Sequence, residues 1–219
     1  MRLTKDKRLM LIEVPETRNT WIWDCLSEEL IDRNDMDEYE KNFGQFGIIN
    51  PNGKRRADWP NHSRNVDISH ACKLERGSYE KVAIIRNPWE RYIGLYELLK
   101  ILPNHAMHKM TNNWTFENFI INLAIGTCSF DLVPQINFLY DKHGRLDIDY
   151  LFRFEDTHNI KDFFVKNGYN FKNISLTSKS KNFSKYYTPE LVEIVRTMCW
   201  YEANFFGYSA PDLSQSLVA

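Results

Sequence analysis

Arg86 is the residue best placed for chemistry in this chain. It follows the short apolar run Val82-Ala83-Ile84-Ile85 and precedes Asn87-Pro88-Trp89-Glu90-Arg91. A run of that length reads as a buried strand, too short for a helix. Pro88 suits the first position of a helix, where its missing N–H has no partner to lose. From there the apolar residues take helical spacing at Trp89, Tyr92, Ile93, Tyr96 and Leu99. A strand that turns straight into a helix brings free backbone N–H groups and a guanidinium to one spot, a combination that suits an anion such as phosphate. The same residues also suit an ordinary strand–helix turn whose arginine makes a structural ion pair.

A second polar turn lies near the start of the chain. Leu9 to Val14 reads as the first core strand, Pro15-Glu16-Thr17-Arg18-Asn19-Thr20 as a turn, and Trp21 to Ile31 as a helix with Asn19 or Thr20 as its N-cap. Strand, polar turn and helix is the layout of a phosphate-binding loop. A third polar stretch, Thr177-Ser178-Lys179-Ser180-Lys181, is rich in hydroxyls and lysines. By composition it is a surface loop.

The intervening elements are read from period and punctuation. Residues 32–66 are polar, with turn signals at Asn50-Pro51-Asn52-Gly53 and Trp59-Pro60, and Lys54, Arg55, Arg56, His62 and Arg64 make them locally basic. They form either a solvated loop or a lip for an anionic acceptor. Asp67 to Leu74 looks helical with Asp67 as cap and carries His70. Thr115 to Ile125 fits an amphipathic helix with Phe116, Phe119, Ile120 and Leu123 on one side and Gly126 as the stop. Asp149 to Glu155 reads as a strand, and Ile160 to Asn167 as a short helix ending at Gly168. Thr188-Pro189-Glu190 opens the last helix with a cap, a first-position proline and a first-turn acid. Its apolar stripe is Leu191, Val195, Met198 and Cys199.

Arg86-Asn87-Pro88-Trp89-Glu90-Arg91 followed by Tyr96 resembles the R-x-P-x-x-R-x-x-S-x-Y segment of the sulfotransferases typified by the carbohydrate sulfotransferases. Further segments resemble that family in the same order: Pro134-Gln135 to Leu139, Arg153-Phe154-Glu155, and Tyr186-Tyr187 through Leu191. The resemblance covers about residues 9–208 and implies a single domain over 1–219. It implies an α/β fold, a central parallel sheet flanked by helices in a P-loop NTPase-like sulfotransferase architecture, with the ligand crevice at the carboxyl ends of the strands. It implies transfer of a sulfuryl group from 3′-phosphoadenosine 5′-phosphosulfate (PAPS) to an acceptor hydroxyl or amine, a carbohydrate among them, with 3′-phosphoadenosine 5′-phosphate (PAP) as product and no metal.

The implied donor-binding residues are Pro15, Thr17, Arg18, Asn19, Thr20 and Trp21 for the 5′-phosphosulfate loop. Arg86 and Gly94 are implied for the 3′-phosphate, and Ser178, Lys179 and Ser180 for a loop over the nucleotide. The chain departs from the family in the first loop: Glu16 replaces a lysine, and Arg18 and Asn19 replace two glycines. Gly94 stands where the family has a serine. A carboxylate about 4 Å from a phosphate charge costs about 4 kcal/mol at an effective dielectric of about 20, so Glu16 is expected to pair with Arg18. Candidates for the general base that deprotonates the acceptor are His70, His62 and Glu16, in that order. The altered loop also suits a second function, a catalytically decayed nucleotide-binding or interaction module of the same fold.

Composition limits the other classes. The 219 residues are 43% hydrophobic with a formal net charge of −1, so any anion site is local and nucleic acid is not an expected partner. No G-x-x-x-x-G-K-[ST] stretch is present, which argues against a P-loop kinase. The four cysteines, Cys25, Cys72, Cys128 and Cys199, form no C-x-x-C pair, so zinc is not expected, and they read as buried thiols in a reducing compartment. The short apolar run after the basic N-terminus suits neither a signal peptide nor a membrane span, which points to the cytoplasm.

Overall fold

The computed structural model describes residues 2–6, 8–17, 19–31, 79–103, 108–126, 134–140, 144–174 and 183–213. They divide into two compact units, the first built from 1–85 and 135–176 and the second from 86–134 and 177–219. The class is α/β.

The first unit holds a sheet of four strands in chain order: β1 (Arg2–Leu3), β2 (Leu9–Ile12), β3 (Glu80–Ile85) and β4 (Tyr150–Arg153). β2, β3 and β4 are parallel, with Leu11 opposite Val82 and Ile84 opposite Phe152, while β1 is antiparallel to β2. Leu9, Leu11, Val82 and Ile84 pack with Ile22, Cys25, Leu26, Phe154, Ile160 and Phe164. These side chains come from helix α1 (Asn19–Cys25), helix α5 (Thr157–Lys166) and the segments beside them. Met10, Ile12, Ala83 and Ile85, which alternate with the first set, are buried as well. Burial on both faces is the ordinary state of parallel strands and explains why β2 and β3 read as continuous apolar runs.

Helix α1 is shorter than its apolar spacing predicts, and the pairing of its downstream chain gives the reason. After Cys25 the chain turns, and Leu30 bridges Thr4 in antiparallel fashion. The Ile31 N–H donates to the Leu3 carbonyl at 2.9 Å and the Lys5 N–H to the Glu29 carbonyl at 2.7 Å. Residues 29–31 thus pair beside β1, and Leu26 and Leu30 still reach the core. Asn19 and Thr20, expected as caps, lie inside the helix.

The second unit is helical: α2 (Pro88–Ile101), α3 (His108–Thr111), α4 (Phe116–Ala124) and α6 (Pro189–Phe206). Its core joins Trp89, Tyr92, Ile93, Tyr96 and Leu99 of α2, Phe116, Phe119, Ile120 and Leu123 of α4, and Leu191, Val192, Val195 and Cys199 of α6. The termini follow local chemistry. Asn87 caps α2 by accepting from the N–H groups of Trp89 and Glu90, Thr115 caps α4, and Thr188 caps α6 ahead of Pro189. Gly207 ends α6 in the left-handed conformation, with φ of 68°. Among the described residues no helix is long and apolar enough to cross a membrane.

Asn87→Ala removes the acceptor for two helix-start N–H groups and is expected to cost about 1 kcal/mol, read from urea denaturation. Asn87→Asp keeps the acceptor and should keep the stability. Equal stability of all three proteins would remove Asn87 from this role.

Candidate functional site

The turn after β2 is built largely from its own side chains. Glu13 and Val14 continue inward from the strand, both buried, and Pro15 is buried behind them. Glu16 has φ of 62° and is the non-glycine residue with positive φ among those described. The left-handed conformation costs an L-residue with a Cβ roughly 1–2 kcal/mol. Thr17 has no exposed surface. Its hydroxyl donates to the Val14 carbonyl at 2.8 Å and lies 3.3 Å from Oδ1 of Asn19, whose Nδ2 donates to the same carbonyl at 2.6 Å. Thr17 and Asn19 thus direct these polar groups into the turn.

Thr20 is exposed on the first turn of α1. Trp21 is half-buried, its indole N–H donating to the Ile174 carbonyl at 3.0 Å. Its ring stands edge-on to Phe154 and Phe171, at centroid distances of 6.1 and 5.7 Å. One aromatic wall therefore ties the start of α1 to the chain leaving β4.

The second unit begins with Arg86, whose side chain is 2% exposed. Its Nη2 donates to Oε2 of Glu90 at 3.1 Å. Glu90 lies in the first turn of α2, directly behind the Asn87 cap. A guanidinium and a helix start thus occupy the stretch predicted for them, but the N–H groups expected to be free there are taken: Pro88 has none, Trp89 and Glu90 donate to the Asn87 side chain, and Arg91 donates to the Asn87 carbonyl. Gly94 lies within α2, half-buried, roughly 9 Å along the axis from Pro88 at the usual rise per residue. Downstream, Tyr187 is buried and its hydroxyl donates to the Trp89 carbonyl at 2.9 Å, while Tyr186 donates to Glu97 at 2.5 Å. These two bonds fix residues 186–187 on α2.

The remaining sequence-derived site residues, Arg18, His62, His70, Ser178, Lys179 and Ser180, lie outside the described residues, and with Arg18 so does its expected pairing with Glu16. Three buried charged residues had no role assigned from sequence: Glu13 at 3% exposure, Arg91 at 1% and Glu202 at 2%. Arg91 is part of the quoted motif, but nothing in residue type separates a buried Glu13 or Glu202 from the exposed acids nearby. The two described cysteines, Cys25 and Cys199, are free and buried. Burial pushes the Cys25 thiol up and the Cys199 thiol to about 12, so neither is a ready nucleophile. Among the described residues no group of His, Cys, Asp and Glu side chains converges in a way that could hold a metal ion.

The chain matches no protein-family model, no curated protein and no solved structure.

Glu16→Ala and Glu16→Gly remove the same side-chain interactions, but only the glycine is relaxed at positive φ. The glycine variant should be the more stable of the two by about 1 kcal/mol in chemical denaturation. An alanine variant equal to or more stable than the glycine variant would contradict a left-handed Glu16.

Proposed function

We propose that this protein is a sulfotransferase that moves the sulfuryl group of PAPS to an acceptor hydroxyl or amine, sugars being one class of acceptor. The observation that supports this reading most is Arg86. It is a buried arginine directly after a parallel strand and directly before a capped helix with proline at its first position. A guanidinium at that place is the group that an anion-reading segment of the form R-x-P-x-x-R sets against a phosphate. In this reading Arg86 takes the 3′-phosphate. The three parallel strands then form the centre of a P-loop NTPase-like sulfotransferase architecture.

The reaction is an in-line displacement. The acceptor oxygen or nitrogen forms a bond to sulfur while the bond from sulfur to the bridging phosphate oxygen breaks, and PAP departs with that electron pair. The acceptor proton passes to a base, for which His70, His62 and Glu16 are the candidates. Positioning and stabilisation of charge on the leaving phosphate supply most of the acceleration, by analogy with phosphoryl transfer.

Calorimetry with PAP tests the binding half. Arg86→Ala should weaken PAP by about 1.5–3 kcal/mol, the usual size of a charge-assisted hydrogen bond. Arg86→Lys, which keeps the charge but not the planar fork, should fall between. Equal affinity of the wild type and the alanine variant, both shown folded by circular dichroism, would contradict the placement.

A second reading, a non-catalytic nucleotide-binding or interaction module, is favoured by one observation. Glu16 occupies the strained position of the first turn, in a loop where the resembled family has a lysine and two glycines. Incubation with PAPS separates the two. An enzyme releases PAP faster when an acceptor extract is added, whereas a module binds PAP and releases none above the rate of PAPS alone.

A further inference from the structure

Glu90 stands at the third position of α2. A glutamate there commonly reaches back to the backbone N–H of the capping residue. In this helix the Asn87 side chain accepts from the N–H groups of Trp89 and Glu90, at 3.0 and 3.4 Å. The Glu90 carboxylate reaches past the cap, and its Oε2 accepts from Nη2 of Arg86 at 3.1 Å. Arg86 precedes the helix, so the bond ties the incoming chain to the first helical turn rather than linking two neighbours on a helix surface.

The burial of the two partners is unequal. The Arg86 side chain is 2% exposed and that of Glu90 is 22% exposed. A pair exposed at both ends would contribute little. A guanidinium this deep requires a counter-charge, and a carboxylate bonded to its rigid planar fork, as Glu90 is, bears on the orientation of that fork. The Glu90 charge itself is unfavourable to an anion beside it, so any benefit of Glu90 to anion binding lies in orienting the arginine.

We propose that Glu90 is a positioning residue, holding the plane of the Arg86 guanidinium ready for a phosphate at the start of α2; the phosphate part rests on the function proposed above. Orientation and charge then give opposite effects when separated. Glu90→Gln keeps the shape and an acceptor oxygen and removes the repelling charge. Glu90→Ala removes all three.

The experiment has two readouts on the full chain. The first is the ¹⁵N spectrum of the ligand-free protein labelled at arginine, with Arg86 assigned by its loss in Arg86→Lys. A held guanidinium shows two resolved Nη signals in the wild type and in Glu90→Gln, and these collapse to one in Glu90→Ala. The second is PAP titration by calorimetry. Glu90→Ala should bind about tenfold more weakly, the loss expected for one misplaced charge-assisted hydrogen bond, and Glu90→Gln should bind as tightly as the wild type or more so. A single averaged Nη signal in the wild type, or PAP affinity unchanged or raised in Glu90→Ala, would overturn the proposal. If Glu90→Ala does not fold, the wild-type spectrum and the Glu90→Gln titration decide: a held guanidinium with unimpaired binding in Glu90→Gln supports the proposal, and weakened binding in that variant overturns it. A held guanidinium in a protein that binds no PAP would defeat the sulfotransferase reading and leave the positioning of Arg86 by Glu90 supported.

Discussion

The guanidinium of Arg86 keeps its charge in a place where almost none of it meets water. Burying an ion of this size costs several kcal/mol unless a counter-charge and hydrogen bonds are supplied. Glu90 supplies a carboxylate at 3.1 Å, and the α2 start must be set to bring it there. The Asn87 cap and Pro88 set that start, and the Tyr187 bond to the Trp89 carbonyl holds the first turn against the segment leading into α6. A charge at the junction therefore constrains the cap, the first turn and the packing behind it together.

Charge also reaches the interior further along the same unit. Arg91 and Glu202 are buried, and both act on Cys199. Burial is the main cause that raises its thiol to about 12, Glu202 raises it further and Arg91 opposes them. The core between α2 and α6 therefore contains ionic groups beside its aromatic and aliphatic ones. Tyr187, in the same core, has its hydroxyl pushed well above the ordinary range by burial, with Tyr92 and Cys199 acting in the same direction. It stays a neutral donor to its carbonyl partner.

Much of the fold was legible because it is written in local chemistry. Thr115 and Gly126 bracket α4, Thr188-Pro189 opens α6, and Pro88 opens α2. At each of these places a side chain or a φ angle answers a need of the backbone that does not depend on distant residues. The apolar runs of β2 and β3 were legible because strands buried on both faces need no polar alternation. The early end of α1 was not legible, because residues 26–31 keep an apolar spacing that serves a helix and a bridged turn equally well. What decides is pairing beside β1, a strand of two residues with no signal of its own. Helix α5 begins at Thr157 behind its Asp156 cap, ahead of the apolar residues from which it was read. In the candidate site, the place of Arg86 at a strand end followed from period and proline. The inward turn of the Thr17 hydroxyl and the left-handed Glu16 depend on how the turn closes on the Val14 carbonyl, and residue type alone does not carry that.

A crystal structure of the protein with PAP bound tests the central claim most directly. The expected result places oxygens of the 3′-phosphate within about 3 Å of the Arg86 guanidinium, the spacing of a charge-assisted hydrogen bond, with the Glu90 carboxylate still on Nη2. A nucleotide whose phosphates lie away from Arg86 and the start of α2 would contradict it.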